Sequence, residues 1–161
     1  MANEINSLFD AAAALTITLA DLASSTTGVG QSSVIVNNTA AGTKYQTLHI
    51  YVRIHTHETS AVTANTQAAV YLLQADAGSS PTYTDDGWAG TDAAITIINA
   101  RPLGIIRVTA TTANTPYFGK FTVRNPGPGW GIAIVQNTGQ NLNATGSDMY
   151  VRYVGENPEV Q

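Results

Sequence analysis

Apolar and polar residues alternate along most of this chain with a period of two. In the run 48–55 every second residue is a large aliphatic, beginning with Leu48 and ending with Ile54. Successive side chains of a β-strand point to opposite faces, so this pattern predicts a strand with one buried face. Similar short runs, rich in β-branched or aromatic residues, occur at 15–19, 34–37, 70–73, 95–98, 105–110, 117–124, 131–136 and 149–154. The alternation therefore predicts eight or nine strands.

Turn-forming residues separate most of these runs. The clearest example is the Asn-Pro-Gly-Pro-Gly segment at 125–129, because Pro and Gly both favour a reversal of the chain. No long helical pattern lies between the runs, which indicates antiparallel rather than parallel pairing. We therefore predict an all-β fold, an antiparallel β-sandwich of jelly-roll type that forms a single domain over residues 15–161.

Residues 1–14 carry the only helix-like pattern in the sequence. Ile5, Leu8 and Phe9 fall on one face of a helix, and an alanine one turn later continues that face. A segment of this length is marginal as an isolated helix, and chain termini are disordered unless something ties them down. Two alternatives stay open: a short helix docked on the sandwich, or an arm that orders on a neighbouring subunit. In the second case Ile5, Leu8 and Phe9 are the expected assembly contacts.

The composition is unusual in its scarcity of charge. Only 11% of the 161 residues are charged and 43% are hydrophobic, whereas about 25% charged residues is ordinary for a soluble domain. A surface rich in neutral polar groups costs little to bury, because few ions must be desolvated. The formal net charge of −4 argues against a nucleic acid or an anionic membrane as partner. No signal peptide and no membrane span is recognisable, and the chain has no cysteine. These features favour a subunit that packs into a larger assembly.

The basic residues share a position within the predicted strands. Each has the opposite parity to a set of bulky core residues, so the side chains are expected on outer faces. The acidic residues lie mainly in loops and near the termini. We predict a docking face formed by Arg53, Arg107, Lys120, Arg124 and Arg152. The alternative interpretation is that long cationic side chains merely keep exposed strands soluble and block edge pairing.

The histidines form the weak candidate for a metal site. His55 and His57 lie two residues apart on the predicted strand, a spacing that can chelate a metal. Two imidazoles make an incomplete site, and a third ligand would have to come from another strand or subunit. A polar strand face that merely contains histidines is the favoured interpretation, so no metal is predicted.

The longest irregular segment, 76–92, is the candidate ligand loop. Tyr83 and Trp88 could stack on a sugar ring, and Asp85 and Asp86 add carboxylates nearby. The spacing of an EF-hand is absent. The favoured alternative is a solvated loop whose tryptophan plugs the end of the sandwich. No nucleophile elbow and no phosphate-binding loop occurs in the sequence, so we predict a protein that is not an enzyme and has no cofactor.

The C-terminal half resembles a known class of proteins. The segment Tyr117-Phe-Gly-Lys-Phe-Thr-Val-Arg-Asn-Pro-Gly-Pro-Gly-Trp-Gly-Ile-Ala-Ile-Val-Gln-Asn-Thr-Gly-Gln-Asn-Leu142 is similar in style to structural proteins of tailed bacteriophages. In particular it resembles the jelly-roll decoration, or cement, proteins of phage heads, and the likeness extends over residues 48–154.

The resemblance implies a non-enzymatic virion protein, made in the host cytoplasm, that binds and stabilises the outer surface of the capsid. It implies the major capsid protein as partner and a homo-oligomer, with a trimer favoured. The alternative function is a carbohydrate- or receptor-binding β-sandwich of a phage fibre or tail.

Overall fold

The computed structural model describes residues 5–40 and 44–160, which form eleven β-strands and two 3-10 turns. None of the helical turns in these ranges is long and apolar enough to cross a membrane. The 3-10 turns are Asp85–Gly87 and Gly146–Asp148. In chain order the strands are β1 (Ile5–Phe9), β2 (Ala13–Ala14), β3 (Val29–Ser32), β4 (Val36–Asn37), β5 (Thr47–His55), β6 (Thr66–Ala75), β7 (Ala93–Thr96), β8 (Arg101–Val108), β9 (Pro116–Arg124), β10 (Gly129–Asn137) and β11 (Tyr150–Val160).

The strands form two antiparallel sheets that pack as a sandwich. Sheet 1 has the order β1-β11-β5-β9, with β2 also paired to β11. Sheet 2 has the order β7-β3-β10-β6-β8, with β4 also paired to β10. Counting β1 with β2 and β3 with β4 as two interrupted strands gives eight positions in jelly-roll order, and β7 adds a ninth at the edge of sheet 2. The predicted fold class is therefore confirmed.

The main core lies between the two sheets. The aliphatic side of β5 is buried there, with Leu48, Ile50 and Ile54 each 0% exposed. Ile50 pairs with Phe121 of β9, and in the facing sheet Leu72 of β6 pairs with Ile132 of β10. Burial of such apolar surface contributes about 25 cal/mol per Å². The period of two in the sequence therefore corresponds to real inward and outward faces.

A second, smaller core covers the outer face of sheet 2. Strand β10 is buried on both sides, because the segment 85–100 folds back over it. Trp88 of this segment is buried against the backbone of Gly131, where a side chain would come within 2.6 Å of the indole ring. The remaining members of this core are Leu73, Ala75, Ile95, Ala100 and Ala133. Sheet 2 is thus closed by its own chain, whereas none of the described residues covers the outer face of sheet 1 in this way.

The N-terminal segment is a strand, and the predicted helix is wrong for the described residues. Strand β1 pairs with the end of β11, from Ile5 opposite Val160 to Phe9 opposite Glu156. The ladder satisfies backbone groups along an otherwise open edge, which a marginal helix would leave exposed. Leu8 and Phe9 are 53% and 56% exposed, so neither is committed to the core. Residues 1–4 of the predicted arm lie outside the described residues.

Candidate functional site

The outer face of sheet 1 presents cations and aromatic rings in alternation. The register places Tyr150 of β11, Arg53 of β5 and Phe118 of β9 side by side in one row. The next row places Arg152, Tyr51 and Lys120 on the same three strands. We call these six residues the cation–aromatic block. With strands about 4.8 Å apart and same-face residues about 6.8 Å apart, its Cα positions span about 10 by 7 Å.

Each ring of the cation–aromatic block is in contact with a cation. The guanidinium carbon of Arg53 lies 5.6 Å from the centroid of Phe118. Lys120 Nζ lies 5.5 Å from the ring of Tyr51. The guanidinium of Arg152 lies 4.9 Å from the ring of Tyr150. At partly exposed sites such contacts contribute about 0.5–1 kcal/mol each, and they hold flexible cationic side chains against rigid rings.

No described carboxylate neutralises these cations. Among the described side chains, the contacts of 4 Å or less between a basic nitrogen and a carboxylate join His49 to Glu156 and His57 to Glu58, at 2.9 and 3.8 Å, and neither involves an arginine or a lysine. Lys120 and Arg152 are exposed, and Phe118 is 64% exposed although it is a large apolar ring. The block therefore combines uncompensated positive charge with accessible aromatic surface.

The guanidinium of Arg53 forms a hydrogen bond with a buried histidine, His55. Arg53 Nη2 lies 2.8 Å from Nε2 of His55, whose Nδ1 lies 3.1 Å from Oδ1 of Asn114. A guanidinium can only donate, so Nε2 accepts and the Nδ1–H donates to Asn114. Asn143 donates to the same Asn114 oxygen at 3.0 Å. Arg53 Nε is enclosed and has no hydrogen-bond partner among the described residues. Arg53 is therefore fixed as a component of the sheet rather than a free surface side chain.

The two histidines considered as metal ligands, His55 and His57, lie in different surroundings. His55 is 6% exposed, with both ring nitrogens in hydrogen bonds. His57 lies beyond the end of β5, and its Nδ1 accepts the backbone N–H groups of Thr59 and Ser60. Within the described ranges no three His, Asp or Glu side chains come together as a metal site would require. The structure thus does not bring His55 and His57 together as ligands, because β5 ends between them.

At its other end the same face contains one described carboxylate. Glu156 accepts a hydrogen bond from His49 Nε2 at 2.9 Å and another from Ser7 Oγ at 2.8 Å. These hydrogen bonds, from His49 and then Ser7, lower the pKa of Glu156, and the charge of Arg124 lowers it further. The ring of Phe9 lies 5.8 Å from that of His49. The only described acid of the face therefore lies two rows from the cation–aromatic block, and Ser7 of β1 is one of its two hydrogen-bond donors.

Four of the five predicted docking residues share this face, and the fifth does not. Arg53, Lys120 and Arg152 belong to the cation–aromatic block, and Arg124 lies two rows away, opposite Thr47. Arg107 lies on β8 at the edge of sheet 2, opposite Gln67. The expectation that it joins the others is wrong, because residue parity within a strand does not tell which sheet the strand enters.

Polar groups of the predicted ligand loop form hydrogen bonds within the protein itself. Trp88 is 3% exposed and its Nε1 donates to the carbonyl of Ser33 at 2.9 Å, so it offers no free ring to a sugar. Asp85 accepts the N–H of Gln74 at 2.9 Å. Tyr83, at 65% exposure, remains accessible. Trp88 is buried, as in the alternative to a stacking platform, but it covers the outer face of sheet 2 rather than the end of the sandwich.

Asp86 has the most complete set of backbone contacts in that loop. Its carboxylate accepts the N–H groups of Ile98, Asn99 and Ala100 at 2.8–3.0 Å. Burial raises its pKa, but these three hydrogen bonds outweigh burial and leave the pKa below its ordinary value. Burial also raises the pKa of Asp92, but hydrogen bonds from Thr18 and Gln31 outweigh it and leave this pKa lowered as well. The loop acids therefore fold the chain over sheet 2 and do not form an open site.

Sequence reasoning found the cations and missed their aromatic partners. Tyr150 and Phe118 have the same strand parity as Arg152 and Lys120, and that parity was the available signal. Their pairing across strands required the register, which no local pattern contains. No family model matches the chain, and neither the curated proteins nor the solved structures include one similar to it.

Proposed function

We propose that the chain is a non-enzymatic structural subunit that docks onto a larger protein assembly through the outer face of sheet 1. One observation carries the proposal: the outer face of sheet 2 is closed by segment 85–100, whereas that of sheet 1 displays the cation–aromatic block. Tyr and Arg are enriched where protein interfaces hold most of their binding energy. The scarcity of charge elsewhere limits the cost of desolvation at the edges of the contact.

The assembly that we propose is the outer surface of a phage capsid, with the major capsid protein as partner. The support for it is the resemblance of the C-terminal half to decoration proteins, together with the jelly-roll order of the strands. A protein that binds the assembled shell better than its separate parts stabilises the shell by linkage. On the same basis we propose a homo-oligomer, with a trimer favoured, located on the virion. The glycan-binding alternative has less support, because Trp88 is buried.

The test is co-sedimentation of the purified chain with heads of the phage that encodes it. The double variant Lys120→Gln/Arg152→Gln removes two cations of the cation–aromatic block, and Arg107→Gln removes one from sheet 2 as the matched control. We expect the double variant to bind more weakly by about 1–3 kcal/mol, and the control to bind as the parent does. The temperature at which the capsid shell disassembles should rise only when a chain that is able to bind is present.

Two results would contradict the proposal. One is a strictly monomeric chain, by light scattering, that also fails to sediment with heads. The other is equal binding by the parent, the double variant and the Arg107→Gln control, which would place the contact elsewhere on the molecule.

A further inference from the structure

We infer that the cation–aromatic block recognises a compact cluster of carboxylates on a protein surface. The inference rests on the proposed function and specifies the chemistry of its partner. Three cations, Arg53, Lys120 and Arg152, lie within two adjacent rows of the sheet and have no described carboxylate partner. Complementary negative charge on the partner is the simplest means of compensating them on docking.

The geometry favours carboxylates held at fixed positions. The cation–π contacts of 4.9–5.6 Å restrain all three cations against rings of the sheet, and Arg53 is further fixed by the 2.8 Å contact with His55. Less side-chain entropy is then lost on binding. A guanidinium fork matches a carboxylate in bidentate geometry, and the exposed Arg152 presents one.

The alternative polyanion, a single-stranded nucleic acid, fits this face less well. Stacking of bases requires free ring faces, whereas each ring of the cation–aromatic block already contacts a cation. A polynucleotide running along the strands would also leave the block after two rows. At one end of the face it would then meet the carboxylate of Glu156. A compact acidic patch on a protein avoids that carboxylate.

Strand β1 contributes to this recognition by keeping Glu156 occupied. Glu156 is bound by Ser7 of β1 and His49 of β5, so its carboxylate is engaged in hydrogen bonds two rows beyond Arg152 of the block. Ser7→Ala removes one of these two restraints without changing any charge of the face. We expect it to weaken binding to an acidic partner by less than the loss of a cation does.

The experiment uses a fluorescently labelled poly-L-glutamate peptide as the acidic probe and an oligo-dT strand of equal charge as the competing probe. Anisotropy at low salt should show binding of the glutamate probe, with Kd rising as salt is added. Lys120→Gln and Arg152→Gln should each weaken binding by roughly three- to tenfold, and Arg107→Gln should leave it unchanged. The folded state of each variant is checked by its circular dichroism and urea midpoint.

Tighter binding of oligo-dT, lost in Phe118→Ala, would overturn the assignment in favour of a nucleic-acid platform. No binding of poly-L-glutamate at low salt, or equal loss in the Arg107→Gln control, would also overturn it. These failures are distinguishable from failure of the proposed function, because docking to phage heads is measured separately. If the chain bound phage heads with no dependence on salt, the proposed function would stand and the acidic partner would be rejected.

Discussion

The indole of Trp88 separates two interpretations of segment 85–100, a structural cover for sheet 2 or a ligand loop. Trp88→Ala removes a ring that is 3% exposed and a hydrogen bond of 2.9 Å to the Ser33 carbonyl. A buried tryptophan removes about 200 Å² from water, which corresponds to about 5 kcal/mol at 25 cal/mol per Å². Because the extended chain overstates that area, we expect a loss of about 3–5 kcal/mol in the free energy of unfolding.

Urea denaturation followed by circular dichroism measures this loss, and Trp88→Phe is the matched control. Phenylalanine retains much of the ring but cannot donate to Ser33, so we expect it to cost only about 1–2 kcal/mol. If the chain docks as we propose, both variants should dock as the parent does wherever they remain folded, because Trp88 lies on the sheet opposite the cation–aromatic block. A loss below about 1 kcal/mol for Trp88→Ala would refute the structural role. If the parent bound a glycan and a stable Trp88→Ala variant did not, the structural interpretation would be wrong and the ligand-loop interpretation would replace it.

Two further predictions concern the loop acid Asp86 and strand β1. The pKa of Asp86 is lowered in the folded state, so its contribution to stability is present above its unfolded pKa and is lost as the pH falls through the folded value. Asp86→Asn should therefore cost about 1–3 kcal/mol at neutral pH and reduce the loss of stability on acidification, and urea midpoints of equal pH dependence in both proteins would contradict this. Deletion of residues 1–9 removes the ladder with the end of β11 and should lower the urea midpoint only modestly, because Leu8 and Phe9 are more than half exposed and the freed backbone groups can bind water. It should weaken docking by freeing Glu156 from Ser7, and unchanged sedimentation with heads would remove β1 from the mechanism.

The sequence predicted the sandwich because successive side chains of a strand alternate between the buried and the exposed face of a sheet, so that burial repeats every two residues. Between Leu48 and Ile54 every inward position is apolar, and the structure buries each of them. The segment 15–19 shows how far that argument extends. Leu15 and Leu19 are buried as their alternation requires, yet the segment is not a strand. It is attached by isolated bonds, such as Leu15 N–H to the carbonyl of Val151 at 2.9 Å. Periodicity thus predicts which side chains are buried, and the backbone partner decides whether a ladder forms.

Of the two glycines at positions 28 and 30, Gly28 precedes a strand and Gly30 lies within it. Gly30 belongs to β3, and a side chain there would collide with the carbonyl of Ile134 on the neighbouring β10. The glycine is needed for close approach of two backbones, whereas Gly28, with a φ of +83°, is the true turn residue. A sequence cannot distinguish these two uses of glycine, because the difference lies in a strand more than a hundred residues away.

The electrostatic inference from the sequence requires a similar revision. A net charge of −4 describes the whole molecule, whereas a partner on the surface senses charges within a screening length of about 8 Å. Asp85, Asp86 and Asp92 are bound to backbone or side-chain donors over sheet 2, on the far side of the sandwich from the cation–aromatic block. Their charges are therefore poorly placed to cancel the field above Arg53, Lys120 and Arg152. The overall acidity disfavours a long polyanion, which would extend past the cations, and is compatible with a small acidic patch. In a chain with so few ions, the placement of each charge determines the partner more than the sum does.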